Sequence, residues 1–253
     1  PREHAEYEPP VPYLPLQRAH EPFPLEYRTS EPPFAPCQLL TICANMLYNV
    51  YQVSTAKRGK TMNAFAIAGA LVAVGMYIPL TVNVWNKKLE QNFATFLLWG
   101  LLDSIAAGAI FFDGGNFLLP LIYAVLCFGV LIAILRARTF SWSWRESVAS
   151  AFVIISIVAW FFVSNELATI LSTAGLTVAS LPQLYDFWKK PQNMPLLTYA
   201  GFTAANGLST IAGADWSIQE RLYPASSMIV TIVFVLVGCR KWLPQFREQQ
   251  PAA

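Results

Sequence analysis

The sequence predicts an all-α integral membrane protein: two parallel triple-helix bundles joined by a single linker helix, seven spans in all, preceded by an amphipathic helix and an extended N-terminal arm. Three observations predict this fold. Of 253 residues, 55% are hydrophobic and only 13% charged, with a mean hydropathy of +0.42, whereas a soluble domain carries about 25% charged residues. Seven apolar runs approach the roughly 20 residues needed to cross a bilayer. Finally, an offset of 103 residues brings the first three runs onto the last three.

The arm, residues 1–36, holds ten of the eighteen prolines, nine charged residues and both histidines. Tyr7, Tyr13, Phe23, Tyr27 and Phe34 are interleaved with the prolines. Such a segment builds no core of its own; it favours extended polyproline conformation, reaching about 110 Å if straight. Aromatic residues spaced along an extended strand suit binding to a partner subunit's surface. No signal-peptide pattern precedes the first apolar run. Pro1 in place of Met fits removal of an initiator Met or of a longer targeting peptide.

Residues 37–61 form an amphipathic helix and a basic loop. Leu39, Cys43, Met46, Leu47 and Val50 make one helical stripe, and Thr41, Asn45, Asn49 and Gln52 the other. The pattern suits a helix lying in the interface; an eighth span is the alternative. Residues 62–136 contain the first three spans, 62 to 85, 93 to 112 and 117 to 136. Asp113-Gly114-Gly115-Asn116 is a turn between the second and third. Residues 137–165 hold the linker span, 147 to 163, opened by a capping-box pattern at Ser143 and Glu146. Residues 166–241 hold the last three spans, 166 to 188, 195 to 213 and 222 to 240, and 242–253 are a polar tail.

Basic residues follow the odd-numbered spans: Lys87 and Lys88, Arg136 and Arg138, Lys189 and Lys190, Arg240 and Lys241. The alternate loops carry Asp113, Glu166, Asp215 and Glu220 against a single Arg221. The positive-inside rule therefore puts the C-terminus on the cytoplasmic, matrix or stromal side of a bacterial or organellar inner membrane. Lys57, Arg58 and Lys60 are the exception, three positives on the other side.

The chain lacks a basic stripe for nucleic acid. It has no phosphate-binding glycine loop and no HExxH, and no histidine in the spans for a metal site or a nucleophile–base pair. Neither an enzyme nor a cofactor is expected. Cys37, Cys43, Cys127 and Cys239 show no CxxC spacing and read as small apolar residues.

In the repeat, Pro79 falls on Pro182, Trp85 on Trp188, Lys87 on Lys190 and Thr95 on Thr198; after one inserted residue, Pro120 falls on Pro224 and Arg136 on Arg240. Three spans is an odd number, so a single connecting span restores the orientation of the second copy, giving a 3+1+3 layout with its axis along the membrane normal. Leu181-Pro182-Gln183 near the end of a repeat's first helix, followed by Trp188-Lys189-Lys190, resembles the PQ-loop motif. The whole of 62 to 241 is similar to the SWEET sugar transporters and their relatives. Repeat 1 departs from the motif with Pro79-Leu80. The family's pocket asparagine and aromatic positions correspond here to Pro120 and Pro224, and to Ser104 and Gly207, so the sugar pocket itself is not reproduced.

The resemblance implies a carrier of a small polar solute working by alternating access, with Pro79, Pro182 and Gln183 at hinges. A static kink is the alternative, since proline is common in membrane helices. Asp103, the acidic residue well inside a span, marks a functional site by default. Its repeat mate is Asn206, with Ser104, Thr203 and Ser209 nearby, and together they suit a polar substrate or proton site. The alternative there is an Asp103–Asn206 hydrogen bond serving as interhelical glue. The competing functional class is a non-transporting scaffold subunit of a larger membrane complex, anchored by the arm.

Overall fold

Seven long helices run in chain order in the computed structural model, which describes residues 63–137 and 144–243. They are α1 (Ala64–Trp85), α2 (Phe93–Phe112), α3 (Leu118–Ala137), α4 (Trp144–Phe162), α5 (Asn165–Lys189), α6 (Leu196–Ala212) and α7 (Tyr223–Cys239). The arm, the stripe at 37–54, the basic loop before α1, Ser143 and the tail from 244 onward lie outside the described residues. Two short turns of 3₁₀ helix, Pro191–Asn193 and Arg240–Trp242, follow α5 and α7. A π-helical turn, Ile218–Leu222, leads into α7 and was not foreseen from the sequence.

Local chemistry fixes the helix ends. Asn63 and Asn92 are N-caps whose side-chain oxygens accept from the Phe65 and Thr95 amides, each at 3.0 Å, and Ser164 does the same for Leu167 at 3.1 Å. The first two helices close alike. Lys88 N–H returns to the Asn83 carbonyl at 2.9 Å, and Gly115 N–H to the Ile110 carbonyl at 2.8 Å. The residue before each is left-handed, Lys87 at φ 56° and Gly114 at φ 75°. This is the reversal that satisfies orphan carbonyls at a helix end. The Asp113–Asn116 turn thus falls where its composition put it.

Five helical stretches among the described residues are long and apolar enough to cross a membrane: Ala64–Trp85, Phe93–Phe112, Leu118–Ala137, Asn165–Lys189 and Ile218–Trp242. The apolar stretch of α4, Ser150–Phe162, and the 17-residue α6 are shorter; at 1.5 Å per residue, α6 reaches only about 25 Å. Large apolar side chains also cover the outside: Ile154, Ile155, Val158, Phe161 and Phe162 on α4, and Ile229, Val233 and Leu236 on α7, are exposed. An all-helical body with an apolar exterior is what integration into a membrane requires.

Packing follows a regular scheme. Helix α3 packs on both α1 and α2, and α7 packs on both α5 and α6; α1 lies against α6, and α2 against α5. Helix α4 packs on α5 and, less extensively, on α2. Small residues permit the α1–α6 contact: Ala66, Ala70 and Ala73 are buried, and a Cβ on Gly69 would lie 2.8 Å from the Ala205 carbonyl oxygen. Close backbone approach of this kind is how apolar helices gain packing energy when the surroundings are equally apolar.

At one end, the Trp85 ring lies beneath the Arg136 guanidinium at 4.7 Å and the Trp188 ring beneath Arg240 at 3.6 Å. Both members of one pair are repeat mates of the other. At the opposite end, Asp113 accepts from Asn165 Nδ2 and from Gln219 Nε2, each at 2.6 Å. Asn116 donates to the Ser209 carbonyl and hydroxyl at 3.3 and 3.2 Å. A side chain on Gly115 would collide with the Gln219 carbonyl. The Asp-Gly-Gly-Asn turn is therefore latched onto the π-helical turn and onto the start of α5.

Candidate functional site

Six of the seven helices line one partly open cavity of about 50 Å³; among the described residues, α4 contributes nothing to its lining. Helix α1 supplies Tyr77, α2 supplies Trp99 and Asp103, and α3 supplies Tyr123. From the second half come Thr173 and Ser180 of α5, Tyr199, Phe202 and Asn206 of α6, and Tyr223, Ser227, Thr231 and Phe234 of α7. Four repeat-related pairs meet here: Tyr77 with Ser180, Trp99 with Phe202, Asp103 with Asn206 and, after the inserted residue, Tyr123 with Ser227.

Asp103 is buried and is the one charged side chain in the lining. Its Oδ1 accepts from the Tyr223 hydroxyl at 2.6 Å, a short hydrogen bond. Its Oδ2 has only the Cys127 thiol at 4.0 Å, a weak donor. The Tyr77 hydroxyl lies 3.2 Å from that same sulfur. Asp103 is therefore tied to α7 and α3; its recorded partners do not include Asn206.

Asn206 donates through Nδ2 to the Phe202 carbonyl at 2.8 Å and to the Tyr123 hydroxyl at 3.1 Å. A backbone carbonyl can only accept, so the amide orientation is fixed and Oδ1 faces the other way as an acceptor. Among the described residues, five buried side-chain polar atoms have no hydrogen-bond partner, and three of them belong to the lining: Asn206 Oδ1, Tyr199 Oη and Thr173 Oγ1. A buried polar atom left unpaired costs about 1–3 kcal/mol, so three on residues of one lining mark a centre whose polar groups the described residues leave unsatisfied.

Aromatic rings complete the walls. Tyr77 lies against Phe202 with centroids 4.5 Å apart, Tyr199 stacks on Phe234 at 4.7 Å, and Trp99 meets Phe234 edge-on at 6.2 Å. Trp99 Nε1 donates to Ser180 Oγ at 3.2 Å, joining α2 to α5.

Asp103 and Asn206 thus line the cavity, whereas Ser104, Thr203 and Ser209 do not. Ser104 is exposed on the outer face, because one residue along a helix is about 100° around it. Its hydroxyl bonds back to the Gly100 carbonyl at 2.7 Å, and the Thr203 hydroxyl to the Tyr199 carbonyl at 3.0 Å. Ser209 sits toward the acidic end, held by Asn116. A hydroxyl bonded to its own helix has spent its one donor and keeps only acceptor capacity.

Both hinge prolines lie inside continuous helices, Pro79 in α1 and Pro182 in α5. Gln183 is buried, and its Oε1 accepts the Asn92 amide at 2.9 Å, tying α5 to the cap of α2. At the matching position of the first repeat, Leu80 is buried as plain core. Gly201 serves packing, since a Cβ there would strike Met76.

The aromatic lining and Tyr223 were missed by sequence reasoning. Position alone would have raised Trp99, which lies four residues before Asp103 on the same helix face; Tyr223 carries no such signal. No group of three or more His, Cys, Asp or Glu side chains suited to a metal ion occurs among the described residues. Compared with known proteins, the chain matches no protein-family model, no curated protein and no solved structure.

Proposed function

We propose that this chain is a PQ-loop/SWEET-like integral membrane carrier that moves a small polar solute by alternating access, with Asp103 and Asn206 at its central site. The observation that carries the reading is the cavity on which repeat-related residues converge, with three unpaired polar atoms around a lone carboxylate. Carriers built from repeats bind their solute at the repeat interface. The helix contacts fit two triple-helix units, α1–α3 and α5–α7, because exchanging the units maps the α1–α6 contact onto the α5–α2 contact. In that arrangement α4 is the linker and all seven helices span.

Alternating access then has identifiable parts. The latch of Asp113, Asn116 and Gln219 closes one end, and Pro79 and Pro182 give α1 and α5 points at which to bend toward the other. By the positive-inside rule the latched end is extracytoplasmic and the Trp–Arg end cytoplasmic, matrix or stromal.

The test is uptake into proteoliposomes across a panel of sugars, amino acids, amines and organic acids, with native protein against Asp103→Asn. Uptake equal to that of empty vesicles removes the carrier reading. Unchanged uptake in the variant removes Asp103 from the mechanism.

The scaffold alternative, with the arm bound to a partner subunit, calls for a filled and satisfied centre, which the three unpaired polar atoms disfavour. It is tested separately: deleting residues 1–34 should release the body from its complex if the arm is the tether.

A further inference from the structure

We infer that the ligand of the central cavity is a small organic ammonium ion. The inference deepens the carrier reading and rests on it for taking this cavity as the solute site.

Charge comes first. Asp103 lines the cavity and, among the described residues, no lysine, arginine or histidine does, so a carboxylate there has no counter-ion from the described lining. A ligand that brings a positive charge supplies one, whereas an anionic ligand adds a like charge in surroundings of low dielectric.

The hydrogen-bond inventory points the same way. Asn206 Oδ1 can only accept and is unpaired, and Asp103 Oδ2 has only a distant thiol. The strong donors nearby are already spent: the Tyr223 hydroxyl on Asp103, Asn206 Nδ2 on Phe202 and Tyr123, and Trp99 Nε1 on Ser180. What remains is the acceptor-only Asn206 Oδ1 and Asp103 Oδ2, which call for N–H or O–H donors on the ligand, beside the two unpaired hydroxyls of Tyr199 and Thr173, which can donate or accept.

The walls then separate ammonium from hydroxyl. Aromatic rings present negative faces, and a cation within about 6 Å of a ring centroid is attracted to them, more strongly when desolvated. A neutral polyol gains no such term. Size favours a small ligand: a single water needs about 10–15 Å³ of such space, and the cavity holds about 50 Å³.

The full-length protein in detergent micelles tests this directly through dissociation constants measured by calorimetry. Four probes are used: ethanolammonium, ethylene glycol (which puts a hydroxyl where the ammonium was), tetramethylammonium and glucose. Ethanolammonium should bind at least 10-fold more tightly than ethylene glycol. It should also bind more tightly than tetramethylammonium, which has the charge but no N–H.

Asp103→Asn should reduce the ethanolammonium preference to 2-fold or less. Tyr199→Phe, which keeps the ring and loses the unpaired hydroxyl, should weaken ethanolammonium several-fold. Ser104→Ala, outside the cavity, should change nothing. If Asp103→Asn does not fold, the native panel and Tyr199→Phe still decide.

Absent ethanolammonium binding, or ethylene glycol or glucose bound as tightly, overturns the inference. A tetramethylammonium preference overturns its hydrogen-bonding half. Because binding in micelles needs no transport, ethanolammonium bound but not taken up by proteoliposomes would remove the carrier reading alone. Uptake of a neutral solute without any ammonium preference would remove the ligand class alone.

Discussion

Breaking the bond between Tyr223 and Asp103 should destabilise the bundle by a measurable, non-additive amount. Tyr223 is buried and its hydroxyl reaches Asp103 Oδ1 at 2.6 Å, joining α7 to α2 across the two halves of the chain. Tyr223→Phe removes the hydroxyl and keeps the ring. A hydrogen bond to a charged group contributes about 1.5–3 kcal/mol in soluble proteins. Between membrane helices the average is nearer 0.6, with a maximum of about 1.7, because the unfolded state in the bilayer also finds partners. A short bond to a carboxylate belongs at the upper end, so we expect a coupling of about 1–1.7 kcal/mol, roughly 5- to 16-fold in the unfolding equilibrium.

Each single substitution also alters desolvation, so the double-mutant cycle of Tyr223→Phe with Asp103→Ala, which leaves no acceptor for the hydroxyl, is the measurement that isolates the pair. The assay is equilibrium unfolding in mixed micelles of dodecyl sulfate and a mild detergent, read by tryptophan fluorescence. Trp99, in the same cavity, is one of the reporters. A coupling below about 0.3 kcal/mol, the limit for independent sites, would refute the pairing of these two side chains.

Three other outcomes follow from particular contacts. Gly69→Ala places a methyl 2.8 Å from the Ala205 carbonyl oxygen and should cost about 1–3 kcal/mol of stability. Gly75→Ala, with nothing within 4 Å, should stay within about 0.5 kcal/mol in the same unfolding assay; equal effects would sink the proposed α1–α6 contact. Gln183→Leu copies the first repeat's Leu80 and strands the Asn92 amide, so a loss of about 1–3 kcal/mol is expected, and no change in the melting temperature would show the tie to be idle. Asp113→Ala removes two 2.6 Å bonds from the latch. In a background whose other cysteines are serine, it should speed labelling of buried Cys127 by an impermeant thiol reagent several-fold, and an unchanged rate would mean that the latch does not guard the cavity.

What the sequence by itself determined here is whatever chemistry reports locally. Apolar runs, asparagine and glycine at helix ends, and prolines recurring at a fixed offset placed the helices within a few residues of where they lie, from Ala64 to Cys239. The offset also paired Asp103 with Asn206, and both line the cavity. Helix rotation was not legible. In a bundle whose exterior is as apolar as its core, periodicity of hydrophobic residues cannot say which face turns inward. Ser104 therefore read as a neighbour of Asp103 in the site, yet it lies about 100° away, exposed and bonded to its own helix.

Only the tertiary structure selected Tyr223 as the carboxylate's partner, 120 residues distant in sequence, and sent Gln183 to the cap of α2. The aromatic walls were hidden for a related reason: Tyr77, Trp99, Tyr199 and Phe234 are spread over four helices and are ordinary residues for an apolar span. They become a site only when packing sets their rings around a carboxylate, because a ring's charge distribution matters only to what lies within a few ångströms of its face.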